Sequence, residues 1–199
     1  MKHLLRTIVL AAACGIALTG CGSETPAAPV PAAVASPAAP APAVAPSARP
    51  APRQVGRPTR VLIGKIKVDE ALHGVGLKQD GAMQTPDFGD AGWYDLGPRP
   101  GARGPAVIVA HVHGPAGDDV FADLHRLVPG DRVTVRRTDG ASVFVVDSVE
   151  QSKKEALPAQ RIWKRSDQAL LRLITCGGKP DPVTRMYPEN TVVYAHLAS

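Results

Sequence analysis

Cys176 closes an apolar run, Leu170-Leu171-Arg172-Leu173-Ile174-Thr175, and is followed at once by Gly177-Gly178. A thiol at a strand end beside two glycines stands where a second backbone or a substrate can approach closely. The thiolate is the reactive form, and an ordinary Cys has a pKa near ~8.5, so a working nucleophile needs a cationic or hydrogen-bonding neighbour. His111 is one candidate, because it ends a second apolar run, Val107-Ile108-Val109-Ala110, as a polar residue at the mouth of a buried element. An imidazole beside such a thiol can serve as its base or acid. His113, two residues on, faces the same way if the strand continues through it and competes for the role.

The same residues carry plainer readings. Cys176 can be a packed side chain, and two imidazoles at period two can ligate one metal ion. A complete ligand set is hard to assemble, since only His73, His125 and His196 remain in the chain beyond its first few residues, so no metal is expected. Other signatures are absent: no phosphate loop, no Gly-x-Ser-x-Gly elbow, no Cys-x-x-Cys and no His-Glu-x-x-His.

The elements that must position these groups read as short strands. Residues 60–68 alternate Val61, Ile63, Ile66 and Val68 with polar residues, and 106–112 form a second run after a Gly/Pro-rich loop. Asp118 and Asp119 can cap a short helix that places Phe121, Leu124 and Leu127 on one face before Pro129-Gly130 stops it. Residues 132–138 and 142–149 flank Asp139-Gly140, a hairpin turn. Residues 170–176 and 191–197 are two further strands separated by the loop 177–190. Many short strands with one or two short helices give a mainly β fold, an antiparallel barrel or sandwich.

The chain has 199 residues, 44% of them apolar and 21% charged. Nine of its 20 prolines lie between Pro26 and Pro52, and 21 of the 29 residues from 24 to 52 are Pro or Ala, so two unlike segments are joined. The foldable part is about 57–199. Residues 21–56 read as a linker, and its 29 residues from 24 to 52, of polyproline-II character at ~3.1 Å per residue, span up to roughly 90 Å. Lys2 and Arg6 precede the short apolar stretch 7–19, the pattern of an export signal over residues 1–20. Leu18-Thr19-Gly20-Cys21 resembles the bacterial lipobox, whose cysteine is acylated, so Cys21 is the expected lipidation site. With Cys14 removed and Cys21 lipidated, Cys176 has no disulfide partner, which in an exported domain marks it as packed or working. The formal charge of +5 carries no basic run interleaved with aromatics, so nucleic acid is not an expected partner.

Taken together, three segments resemble the sortase family. Leu173-Ile174-Thr175-Cys176-Gly177-Gly178, followed fifteen residues after the Cys by Thr191-Val192-Val193-Tyr194-Ala195, is similar to its signature strand, loop and final strand. Ile108-Val109-Ala110-His111-Val112 is similar to its His segment, and Gly92-Trp93-Tyr94-Asp95-Leu96-Gly97-Pro98-Arg99-Pro100-Gly101 resembles the actinobacterial class F branch in particular. The resemblance implies an eight-stranded β-barrel and a cysteine transpeptidase, without a cofactor, that cleaves a sorting signal of a secreted protein. It implies Cys176 as nucleophile and His111 as the proton carrier. The accepting amine belongs to a cell-wall precursor or a protein. Many sortases carry an oxyanion-stabilising Arg just before the last strand, where this chain has Asn190, a hydrogen-bond donor without charge; Arg185, five residues earlier, is the cation expected to serve instead, with Asn190 in support. Asn190 and Thr175 are the expected substrate-binding residues. His113 stands where class F usually carries Asp, and the lipobox replaces the more usual membrane helix. The implied location is the outer face of a bacterial cell membrane, held by the lipid. The competing readings are a non-catalytic binding protein of the same fold and a metal-binding envelope protein using His111 and His113.

Overall fold

The computed structural model describes residues 54–199. The export signal, Cys21 and nearly all of the Pro/Ala-rich spacer lie outside the described residues. The elements run β1 (Pro58–Ile63), a 3₁₀ turn at Gly64–Ile66, β2 (Val68–Val75), β3 (Ala91–Tyr94), β4 (Gly104–Ala110), β5 (His113–Gly114) and β6 (Gly117–Asp118). A 3₁₀ turn at Leu124–Arg126 leads to β7 (Arg132–Arg137), β8 (Gly140–Lys153), a 3₁₀ turn at Lys154–Ala156, α1 (Ala159–Trp163), β9 (Ala169–Gly177) and β10 (Glu189–Leu197). Eight strands close into one barrel in the order β1-β2-β3-β4-β9-β10-β8-β7, and β5 with β6 makes a separate small hairpin. Six of the barrel pairings are antiparallel; β2 with β3 and β4 with β9 are parallel. The mainly β, eight-stranded architecture is the expected one.

Period-two alternation builds the interior. Val61 and Ile63 of β1, Val133 and Val135 of β7, and Leu171 and Leu173 of β9 are all fully buried inside the barrel. Each such side chain contributes about 1.5–3 kcal/mol of transfer free energy. β4 is buried along nearly its whole length because it is covered on both faces. Ala106, Ile108 and Ala110 face the interior, while Val107 joins Ile162 of α1, Val192 and Tyr194 in a second, outer cluster. Arg172 lies in that outer layer with only 6% exposure, and burial pushes its guanidinium below the usual arginine value. Its guanidinium and that of Arg161 lie over the Tyr194 ring at 4.7 and 4.0 Å, which binds α1 to the barrel wall.

Four local expectations need correction. The single strand over 60–68 is two strands, because Lys67 adopts φ 56° and turns the chain between β1 and β2. The helix after Asp118 and Asp119 is only a 3₁₀ turn at Leu124–Arg126. Asp118 pairs with His113 in the small hairpin, and the Asp119 carboxylate accepts from the amides of Val120 and Gly89 instead of capping a helix. Phe121, Leu124 and Leu127 are buried all the same and close one end of the barrel. The strand expected through 112 ends at Ala110, so His111 and His113 do not share one strand face. β8 runs on to Lys153, past the expected end at 149, because β10 pairs with it along its whole length.

Candidate active site

β9 alternates Leu171, Leu173 and Thr175 into the barrel with Arg172, Ile174 and Cys176 outward, which delivers the partly exposed thiol to the outer rim. Thr175 is 5% exposed, and its hydroxyl donates to the carbonyl of Ala110 at 2.7 Å. That bond fastens the end of β9 to the end of β4, where the next residue is His111. Gly177 follows Cys176 because nothing larger fits: a Cβ there would lie 2.6 Å from Thr191 Oγ1 and 3.0 Å from its amide nitrogen. Gly178 turns the chain away with φ +78°.

His111 is half-buried, with Nε2 3.0 Å from the carbonyl of Pro86 and the Phe88 ring packed at a 39° tilt against the imidazole at 4.4 Å between centroids. A carbonyl can only accept, so Nε2 carries the proton and Nδ1 is the acceptor of the neutral ring. The loop that supplies Pro86 and Phe88 is held by Asp119, whose carboxylate oxygens lie 3.0 and 3.2 Å from the Gly89 amide. The amide of Phe121 donates to the His111 carbonyl at 2.9 Å and fixes the residue from the other side. Pro86, Phe88 and Asp119 carry no sequence signal of this role, since one acts through its backbone and the others through contacts 23 and 30 residues away along the chain.

Arg185 sits in the loop between β9 and β10 with φ 58°. Its amide donates to the Asp181 carbonyl and the Asp181 amide donates to the Met186 carbonyl, both at 2.9 Å. The Asp181 carboxylate accepts from the Thr184 amide at 2.7 Å, the Thr184 hydroxyl at 3.0 Å and the Val183 amide at 3.0 Å. Those bonds, the Thr184 amide first, hold its carboxyl below the usual carboxylate range.

Cys176, His111 and Arg185 line one cavity of about 450 Å³, together with Phe88, Met186 and Tyr187. His113 reaches the same cavity; it is exposed, with Nδ1 3.8 Å from Asp118. Asn190 pairs directly with Cys176 across β9 and β10, yet it lines a different cavity of about 390 Å³, beside Val109, Ile174, Ile162 and Trp163. A third, polar cavity of about 550 Å³ also reaches Cys176 and holds Asp118, Asp123 and His125. Among the described residues no three His, Cys, Asp or Glu side chains gather as a metal-ligand set.

A thiol, an imidazole and an arginine lining one cavity are residue types from which an acyl-transfer site can be built. The family model of the sortase domain matches residues 62–198. The chain belongs to the sortase family, the cysteine transpeptidases. Solved structures share the fold of this sortase: sortase C1 from Streptococcus suis at TM-score 0.57 and 18% identity, covering 72% of this chain and 74% of that one. Sortase C-1 from Streptococcus pneumoniae gives 0.55 and 21%, covering 71% and 66%. Sortase C1 of the Group B Streptococcus pilus island 1 gives 0.55 and 18%, and the match spans 65% of that protein's length against 71% of this sortase. No curated protein sequence matches the chain. The structures named are class C sortases, so the class F likeness stands on the sequence motifs.

Proposed function

We propose that this sortase cleaves a sorting signal of a secreted protein through a thioester on Cys176 and transfers the acyl group to an amine. The single observation that carries the reading is that Cys176, His111 and Arg185 open onto one cavity. The thiol proton passes to Nδ1 of His111, and the thiolate attacks the scissile carbonyl carbon. The tetrahedral oxyanion faces the Arg185 guanidinium; as the C–N bond breaks, His111 returns its proton to the leaving amine. The acceptor amine then attacks the thioester, the C–S bond breaks, and the proton returns to His111. Because His111 serves the leaving group, that group occupies the His111 side of the sulfur. The acyl part of the substrate therefore lies on the other side, over Ile174, Val109 and Asn190. The polar cavity with Asp118 and Asp123 shares Val112, Cys176, Pro180 and Tyr187 with the His111 cavity and gives the acceptor amine a polar approach to the thioester. Cys21 lipidation, with the Pro/Ala-rich spacer, holds the domain off the outer face of the membrane.

The test is a positional-scanning library of peptides flanked by a fluorophore and a quencher, incubated with the protein and hydroxylamine as the amine. Cleavage with a hydroxamate product, a peptide adduct located on Cys176 by mass spectrometry, and no cleavage by Cys176→Ala are expected. Cleavage by Cys176→Ala at the parent rate would refute the reading. An unlabelled thiol, slow toward a methanethiosulfonate reagent until the protein is denatured, would favour the packed, non-catalytic alternative.

A further inference from the structure

We propose that the cavity at the start of β4 is a second substrate subsite that takes an acidic side chain about seven residues N-terminal to the cleaved bond. The inference rests on the transpeptidase reading above and adds a specificity determinant to it. Tyr94 and Trp163, packed edge to face at 5.3 Å, line both the groove that holds Asn190 and, beyond it, a separate cavity of about 560 Å³. The floor is continuous, because β4 and β9 run side by side from Gly104↔Ala169 to Val109↔Ile174. A chain leaving Cys176 along this floor meets Asn190 and Ile174 first, then Trp163, and then the far cavity.

Charge identifies what the far cavity holds. Arg103 and Arg165 stand on its rim, and Asp167 is the acidic side chain beside them. Asp167 lies 3.8 Å from Arg103, but the two are 98% and 70% exposed, so the pair is weak and readily exchanged. Arg165 has no salt-bridge partner among the described residues. The rim is thus net positive above an apolar wall of Leu96, Pro98 and Trp163, which suits a carboxylate carried on a peptide backbone.

The strand register supplies a ruler. From Cys176 back to Ala169, the partner of Gly104, is seven residues of β9, or about 23 Å at ~3.3 Å per residue. An extended substrate beside that strand has the same rise. Its seventh residue before the thioester carbonyl therefore reaches Arg103 and Arg165.

The experiment uses the best-cleaved library peptide, extended at its N-terminus with glycine and serine and carrying one Glu, one Gln or one Lys at each of positions three to nine before the cleaved bond. The readout is the kcat/KM ratio of Glu over Gln at each position, which is internal to each protein. The ratio should peak at six to eight with about a three- to fivefold preference, the size expected of exposed ion pairs. It should fall to about one in Arg103→Ala/Arg165→Ala. In Arg165→Glu the preference at the same positions should turn to Lys over Gln. An equal ratio at every position, or a peak that survives the double substitution, would overturn the subsite while leaving the peptidase reading standing. No cleavage of any peptide by the parent protein would overturn both.

Discussion

Thr175→Val keeps the shape of the side chain and removes one hydroxyl, and that hydroxyl is the 2.7 Å donor to the Ala110 carbonyl. With 5% exposure at Thr175, water does not replace it. A hydrogen bond of this kind is worth about 1 kcal/mol net, and the carbonyl left behind raises the cost toward about 2 kcal/mol. For a domain the size of 62–198, each kcal/mol moves Tm by about 3–4 °C, so a fall of roughly 3–8 °C is expected. Ala110 precedes His111, so the loosened tie also reaches the imidazole, and kcat should drop while KM holds. Thr175→Ser keeps the hydroxyl and loses a methyl, at about 0.8 kcal/mol, and should keep kcat. Thermal melting and steady-state cleavage of the best library peptide measure both. An unchanged Tm with a raised KM and a normal kcat in Thr175→Val would refute the tie and return Thr175 to a direct contact with substrate.

Asp119→Ala frees the loop that presents Pro86 and Phe88 to His111, so kcat/KM should fall while methanethiosulfonate labelling of Cys176 continues. Arg185→Ala should cost about 10²- to 10³-fold in kcat, the usual loss for one oxyanion donor, whereas Asn190→Ala should raise KM and spare kcat because it lines the acyl groove. Asp181 has a folded-state pKa below its unfolded one, so its bonds to Val183 and Thr184 are fully present above the ordinary carboxylate range and are lost as pH falls through the lowered value. The amide resonances of Val183 and Thr184 should therefore hold steady from neutral pH down to the ordinary carboxylate range, move together below it, and fail to show that step in Asp181→Asn.

The parts of the site that were legible in the sequence are those set by local rules. Strand alternation ending at a Gly pair put Cys176 at a rim, and the apolar run of β4 put His111 at its mouth. The illegible parts depend on pairs far apart in the chain. Asp119 looks like a helix cap, but the Gly89 amide, 30 residues away, claims its carboxylate and leaves the following segment as one 3₁₀ turn. The clamp on His111 is made by a proline carbonyl, to which side-chain patterns are blind. α1 spans five residues, too few to show a period, and its place is set by Ile162 in the outer cluster and by the stack of Arg161 on Tyr194. Asn190 and Arg185 could not be separated by spacing, because pairing distance from Cys176 and the cavity a side chain enters are different properties.

The proposed nucleophile and the groove floor come from one strand face, which would couple chemistry to recognition. Cys176 and Ile174 are two residues apart on β9, so both point outward by the same pleat, while Thr175 between them points inward. A one-residue slip of β9 would exchange the faces, sending the sulfur into the core and the Thr175 hydroxyl to the groove. Two features oppose that slip. Position 175 is already fastened inward by its bond to Ala110, and position 177 has no room for a side chain, since its Cβ would meet Thr191 Oγ1 at 2.6 Å. Thr175 and Gly177 thus fix the register that exposes Cys176, and that same register lays Ile174 beside Val109 on the floor of the groove proposed for the acyl chain. If Cys176 is the nucleophile proposed above, the residues flanking it therefore constrain where a substrate lies as well as where it reacts.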